Sequence, residues 1–213
     1  MAVLSQKGGV GKTTLALHLA AARGRRWQSD GLKKRLALLD LDDQESLYRY
    51  RKTLKRTDFE SVSLEKLPRA LERAREDADC VILDAPRSLD DALTFALMSR
   101  VDFAVIPFIP EYDAVLAARR TLDVARRVRK ERPEFGFRLV LMQSGGAVHR
   151  RELASEARAL FSPWVCKTAI PSSPIVGAAA RAGVSTFDCA PDSPVSRAFM
   201  RLELELLHIG ESK

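Results

Sequence analysis

Residues Lys7-Gly8-Gly9-Val10-Gly11-Lys12-Thr13-Thr14 carry the densest chemistry of the chain. Glycines at 8, 9 and 11 let backbone N–H groups turn inward and approach an anion without side-chain obstruction. Lys12 then supplies a point charge for β- and γ-phosphates, and the Thr13 hydroxyl suits Mg²⁺. An apolar stretch, Ala2 to Ser5, precedes the loop, and a helical pattern opens at Lys12. Strand, loop and helix in that order put the positive end of a helix against the phosphates. Gly8, Gly9, Val10, Gly11, Lys12, Thr13 and Thr14 are therefore expected to cradle a nucleotide.

Two further segments place acids where such a loop needs them. The run Leu36 to Leu39 continues into Asp40-Leu41-Asp42-Asp43-Gln44-Glu45-Ser46, and strand alternation puts Asp40 and Asp42 on one side. Carboxylates facing a phosphate loop can organise Mg²⁺ and its waters. Phosphoryl transfer asks little covalent chemistry of the protein, so an acid that orients the attacking water is a sufficient catalytic group. Cys80-Val81-Ile82-Leu83-Asp84 is an apolar strand ended by an acid, a second place from which Mg²⁺ can be held. The expected metal-associated residues are Thr13, Asp40 and Asp84, with Asp40 given a metal-shell or structural role.

The elements that must position these groups follow from the alternation of short Val-, Ile- and Leu-rich runs with amphipathic stretches of helical length. That pattern is α/β, a mostly parallel sheet with helices on both faces, and ligands then bind outside the carboxyl ends of the strands. Strands are expected over Ala2–Ser5, Arg35–Leu41, Cys80–Leu83, Phe103–Pro107 and Phe137–Met142, with a shorter one over Val165–Ile170. Helices are expected over Lys12–Arg25, Ser46–Arg56, Leu64–Asp77, Asp90–Arg100, Asp113–Arg132, Val148–Leu160, Ile175–Ala182 and Val195–Leu207. With 213 residues and no linker-like segment, one domain over 1–213 is expected.

The loop departs from the usual phosphate-loop pattern: Gln6 stands where a glycine is expected, and a second lysine, Lys7, follows it. This resembles the deviant Walker A motif, K-G-G-x-G-K-T, of the ParA/MinD superfamily, and most of the chain is similar to the short plasmid-partition ParA (ParF-like) proteins. The resemblance implies a P-loop NTPase fold and an ATPase using ATP and Mg²⁺. It also implies that Lys7 reaches phosphate in a partner copy's site, so that ATP drives homodimerisation. Asp42 matches the second aspartate of the family's D-x-D-P-Q segment, associated with the hydrolytic water; Lys7, Lys12 and Asp42 are the implied catalytic set. Asp43 replaces the family's proline, and Ser172 and Ser173 stand where the family often has arginine. Further implied are nonspecific DNA binding by the dimer and a ParB-like centromere-binding adaptor that stimulates hydrolysis, as in plasmid and DNA segregation. A ParA-like ATPase positioning a non-DNA cargo, a microcompartment or polar complex, is the alternative.

Charge fits a polyanionic partner: 35 Lys and Arg against 28 Asp and Glu give a net +7. Basic residues gather in Arg23–Arg35, in Arg49–Arg56, and along a helix flank at Arg119, Arg126 and Lys130, opposite Val115, Leu122, Ala125 and Val128. Arg150, Arg151, Lys167, Arg181, Arg197 and Arg201 are the DNA-contact candidates nearer the C-terminus. No helix-turn-helix, zinc module or stacking platform is visible. Cys80, Cys166 and Cys189 lack the spacing of a disulfide framework, zinc site or iron–sulfur ligand set, which disfavours an electron-transferring relative of nitrogenase reductase. His18, His149 and His208 are expected to be structural or solvated. Without an apolar run of about 18 residues or a leader pattern, a cytoplasmic protein is expected; the acids within Arg201–Leu207 disfavour a membrane partner, and the resemblance implies nucleoid association.

Overall fold

A computed structural model describes residues 1–42, 47, 50 and 57–211. Its strands are β1 (Ala2–Val3), β2 (Leu36–Asp40), β3 (Thr57–Ser61), β4 (Cys80–Asp84), β5 (Phe103–Phe108) and β6 (Gly136–Leu141). Its helices are α1 (Lys12–Ser29), α2 (Leu67–Asp77), α3 (Asp91–Met98), α4 (Tyr112–Glu131), α5 (Val148–Leu160), α6 (Pro174–Ala182), α7 (Thr186–Cys189) and α8 (Pro194–Glu211). The strands form one sheet in the order β3-β2-β4-β1-β5-β6, and every pairing is parallel. This is the α/β sheet, parallel with helices on both faces, that the alternating pattern predicts, and it agrees with the fold that the resemblance implies.

A parallel sheet must be covered on both faces, and two apolar clusters do this. On one face Leu39, Leu83, Ile106 and Leu139 pack with Leu71 of α2, Leu97 of α3, Leu122 and Val128 of α4 and Ala157 of α5. On the other, Leu38, Ile82, Val105 and Val140 pack with Leu15 and Leu19 of α1 and Phe199 and Leu202 of α8. Successive residues of each strand feed opposite clusters, which is why the strands read as unbroken apolar runs.

Three departures from the sequence reading have local causes. Strand β3, Thr-Asp-Phe-Glu-Ser, was hidden by its polarity: it is an edge strand with Asp58, Glu60 and Ser61 exposed, and charges there discourage pairing with another chain. The expected strand Val165–Ile170 is instead a segment with one isolated bridge to β6, Leu139 to Val165, and a second just beyond both, Ser144 to Pro171. Its ladder is broken because Glu205 of α8 takes the N–H groups of Lys167 at 2.6 Å and Thr168 at 2.8 Å. Helix α2 starts at Leu67, three residues after the expected Leu64, where Pro68 favours a first turn. The expected helix Ser46–Arg56 lies outside the described residues apart from Leu47 and Tyr50.

Candidate functional site

The register aligns Asp40, Asp84, Val3 and Val105 across β2, β4, β1 and β5, the first three at the carboxyl ends of their strands. Sequence-distant loops therefore meet at one edge. Beyond β1 the Leu4 N–H donates to the Val105 carbonyl at 3.1 Å, after which the chain turns through the glycine loop into α1. Gly9 and Gly11 take φ of +78° and +92°, a region costly for other residues, and a Cβ on Gly11 would also meet Met142 Cε at 3.2 Å. Gly11 is the N-cap and offers no side-chain cap, leaving the first N–H groups of α1 turned toward the loop. Gln6, the departure from the usual pattern, anchors the loop: its Nε2 donates to Asp91 Oδ1 at the start of α3, at 2.6 Å.

Lys12 is buried and its Nζ donates to the carbonyls of Arg87 at 3.0 Å, Lys7 at 3.2 Å and Ser5 at 3.4 Å. Burial pushes its ammonium below the ordinary lysine value, against the pull of Asp84 and Asp42. Lys7 differs: it is only half-buried, and among the described residues none hydrogen-bonds or ion-pairs with its ammonium. Two lysines of one loop thus stand in different states, one held inside the loop on carbonyls and one at its rim with no partner among the described residues.

Asp84 is fully buried, and among the described residues neither of its carboxyl oxygens meets a hydrogen-bond partner. Burial raises its pKa to about 7; the Thr13 hydroxyl, near but outside hydrogen-bond geometry, and Lys12 pull the other way, while Asp40 and Asp42 add to the rise. A buried carboxylate without partners beside a threonine hydroxyl fits a hard cation that prefers oxygen ligands. Among the described residues no cluster of His, Cys, Asp or Glu could hold an ion unaided. Mg²⁺ fits that arrangement, since it keeps waters and phosphate oxygens in its shell and needs only one or two protein groups.

Asp40 and Asp42, expected on the same side, are both buried but engaged differently. Asp40 accepts from the N–H groups of Asp42 at 3.0 Å and Leu47 at 3.1 Å, so its carboxylate shapes the loop that carries Asp42. Asp42 accepts from Arg87 Nε at 3.1 Å. Asp43 and Gln44 lie outside the described residues.

Some neighbours of the site escaped the sequence reading. Arg87 was passed over although it stands three positions past Asp84, where a cation meets the acids of the adjacent strand end. A cleft of about 140 Å³ beside the loop is lined by Gly11, Thr14, Gln143, Ile170, Pro171 and Ser172, so the return segment after β6 forms its far wall. Only the turn composition at Pro171–Pro174 hinted at this. A larger cavity of about 640 Å³ lies at the other end of β5 and β6, against Phe103, Arg138, Lys167 and His208, away from the phosphate loop.

The basic clusters divide. In Arg23–Arg35, buried Glu203 binds Arg23 at 2.9 Å and Arg26 at 3.1 Å, Asp188 binds Arg25 at 2.8 Å, and Asp58 binds Arg35 at 2.9 Å. Much of that charge is neutralised within the fold. On α4, Arg119, Arg126 and Lys130 are exposed and Val115, Leu122, Ala125 and Val128 buried, as helical spacing requires. Arg151, Lys167, Arg181, Arg197 and Arg201 are exposed, whereas Arg150 is half-buried and paired with Glu111 at 3.4 Å. The cluster Arg49–Arg56 lies outside the described residues, apart from Tyr50. Cys80 is half-buried, Cys166 buried and Cys189 exposed, on β4, the return segment and α7. Among the described residues no helix is long and apolar enough to cross a membrane.

A parallel α/β sheet, a glycine loop feeding a helix N-terminus, a lysine over that loop and a buried strand-end aspartate define a P-loop nucleotide-binding protein. Comparison with known proteins narrows the class: the chain belongs to the CobQ/CobB/MinD/ParA nucleotide binding domain family, whose model matches residues 1–207. It is 30% identical over 245 residues to the chromosome-partitioning ATPase Soj of Thermus thermophilus, covering 97% of this chain and 94% of Soj. It is also 30% identical over 155 residues to the maintenance of carboxysome distribution protein A of Halothiobacillus neapolitanus, covering 68% of this chain and 66% of that protein. The fold matches the septum site-determining protein MinD of Pyrococcus horikoshii, solved with Mg-ADP, at a TM-score of 0.73 and 18% identity over 96% of this chain and 94% of that one.

Proposed function

We propose that this ParA/MinD-type ATPase is an ATP-switched DNA-partition protein whose residues 1–213 act as one domain. ATP binds in the glycine loop with Mg²⁺, two copies close over the nucleotides, and the dimer grips DNA without sequence preference until hydrolysis releases it. The observation that carries this reading is Lys7, a loop lysine at the rim with no partner among the described residues, while Lys12 is held inside. A cation so placed is available to phosphate in a second copy.

Gly8, Gly9, Val10, Gly11, Lys12, Thr13 and Thr14 cradle the phosphates, and Lys12 exchanges its carbonyl acceptors for phosphate oxygens. Thr13 and Asp84 hold Mg²⁺, while Asp40 sets the loop around it. When bound, Mg²⁺ neutralises the charge that develops on the transferring phosphoryl group. Asp42 orients the attacking water. The cleft by Thr14, Gln143 and Ser172 receives the nucleoside end. The homodimer is supported by Tyr112, 71% exposed, and Val148, 59% exposed, apolar side chains at the starts of helices leaving the carboxyl ends of β5 and β6. Their exposure at the same end of the sheet as the phosphate loop suits coverage by a second copy.

The DNA cargo is supported by the near-complete alignment with Soj and by the exposed arginines of α4 and α8. A ParB-like adaptor and a cytoplasmic, nucleoid-associated location complete the reading. The likeness to the carboxysome-distribution protein favours a second reading, in which the same switch positions a non-DNA cargo. DNA binding with ATP, with ADP and without nucleotide across a salt series tests the choice. Partition predicts ATP-dependent binding that falls steeply with salt, because phosphate contacts release counterions. DNA binding of equal strength without nucleotide would remove the switch, and no DNA binding in any state would favour the second reading.

A further inference from the structure

Arg87 touches both halves of the catalytic machinery through different atoms. Its main-chain carbonyl accepts from Lys12 Nζ at 3.0 Å, and its side-chain Nε donates to Asp42 Oδ2 at 3.1 Å. The two ends differ in exposure: the Asp42 side chain is 8% exposed and that of Arg87 64%. Arg87 therefore reaches in from the surface to hold a buried acid, and it does so from the short loop after β4, the strand that ends in Asp84.

We propose that Arg87 is a positioning residue that restrains Asp42 in the resting protein and couples its release to phosphate arrival. A carboxylate oxygen occupied by a guanidinium has lone pairs committed and an orientation fixed by that partner, so it is less free to align a water. Lys12 supplies the coupling. Its ammonium donates to the Arg87 carbonyl, and a phosphate that draws Lys12 away removes a tie on the Arg87 backbone. The Arg87 loop is then freer to shift, and Asp42 with it. The inference rests on the reading of Asp42 as the water-orienting acid.

The test is ATP turnover of purified protein, without DNA or adaptor, for wild type, Arg87→Ala, Arg87→Lys, Asp42→Ala and the double variant Arg87→Ala/Asp42→Ala. Arg87→Ala keeps the carbonyl that Lys12 uses and removes an exposed side chain, so the loop stays intact. Basal kcat should rise about three- to tenfold, the range expected for releasing one partly exposed ion pair, while KM for ATP stays within about threefold. Arg87→Lys, retaining the charge without the planar fork, should fall between Arg87→Ala and wild type. In the Asp42→Ala background the Arg87 substitution should have no effect. A basal kcat that is unchanged or lower in Arg87→Ala, or a gain that survives in the double variant, overturns the proposal. Asp42→Ala turning over as fast as wild type overturns the reading of Asp42 beneath it, and that failure is separately visible.

Discussion

At the residue scale, the site divides its ions by how each is satisfied. Lys12 is buried on three carbonyls and Asp84 is buried with neither oxygen partnered among the described residues, so the phosphates and the cation each meet a group already stripped of water. Lys12→Ala should abolish nucleotide binding in a fluorescent-nucleotide titration. Asp42→Ala should bind ATP as wild type does but lower kcat about 100-fold or more, the usual scale for losing a group that acts on the attacking water. Asp84 also makes a pH prediction. Its folded pKa of about 7 lies above the ordinary 3.8, so the folded protein holds that proton more tightly than the unfolded chain. Without nucleotide, stability therefore declines as pH rises toward 7 and levels off above it. Asp84→Asn should remove the decline, making the variant more stable than wild type at pH 8 by on the order of 2–4 kcal/mol in urea unfolding, with the two converging below about pH 4. The same variant should lose Mg²⁺-dependent strengthening of nucleotide binding. Of these residues, the glycine loop, Lys12, Asp40, Asp42 and Asp84 were legible because fixed spacing and strand ends announce them. Arg87 and Gln6 were not, since their partners, Asp42 and Asp91, are met only in space.

At the scale of elements, the sheet's central strands were legible because burial on both faces demands uninterrupted apolar runs. The edges were not. Polar β3 needs only one buried neighbour, and the Val165–Ile170 segment looks like a strand until Glu205 captures its amides. Helix α1 illustrates a further point, because His18 ties it to α7 and α8. Its Nδ1 meets the Thr14 carbonyl at 2.7 Å, its Nε2 accepts from the Thr186 N–H at 3.2 Å, and its ring stacks on Phe199 at 4.1 Å. Burial lowers its pKa from 6.5 to about 4. A folded pKa below the unfolded value means that this contribution is fully present above pH 6.5 and is lost as pH falls through about 4. The contribution is about 3 kcal/mol. Replacing His18 with Phe keeps an aromatic ring there but removes the titrating nitrogen. The variant should be less stable at pH 7, with an acid-side loss between pH 6.5 and 4 smaller than that of wild type, followed as Tm against pH.

At the scale of the whole molecule, the net charge of +7 is unevenly spent. Arg23 and Arg26 are paired with buried Glu203 and Arg25 and Arg35 with acids at the surface, while Lys7 has no partner among the described residues and Arg119, Lys130, Arg197 and Arg201 face solvent on α4 and α8. Sequence could count these charges but could not sort them, because Glu203, which binds Arg23 and Arg26, lies about 180 residues away along the chain. The sorted surface predicts that Arg119→Ala and Lys130→Ala each weaken DNA binding by the ATP-bound protein about uniformly across sequences and each reduce the salt slope by about one. Dimerisation is the claim on which the rest depends. The direct measurement is sedimentation velocity of wild type and Lys7→Ala with Mg²⁺ and ATP, beside a titration confirming that both bind nucleotide. Wild type should convert from monomer to dimer on ATP but not on ADP, while Lys7→Ala binds ATP and stays monomeric. A wild type that remains monomeric with ATP bound, or a Lys7→Ala variant that dimerises as fully as wild type, would contradict it.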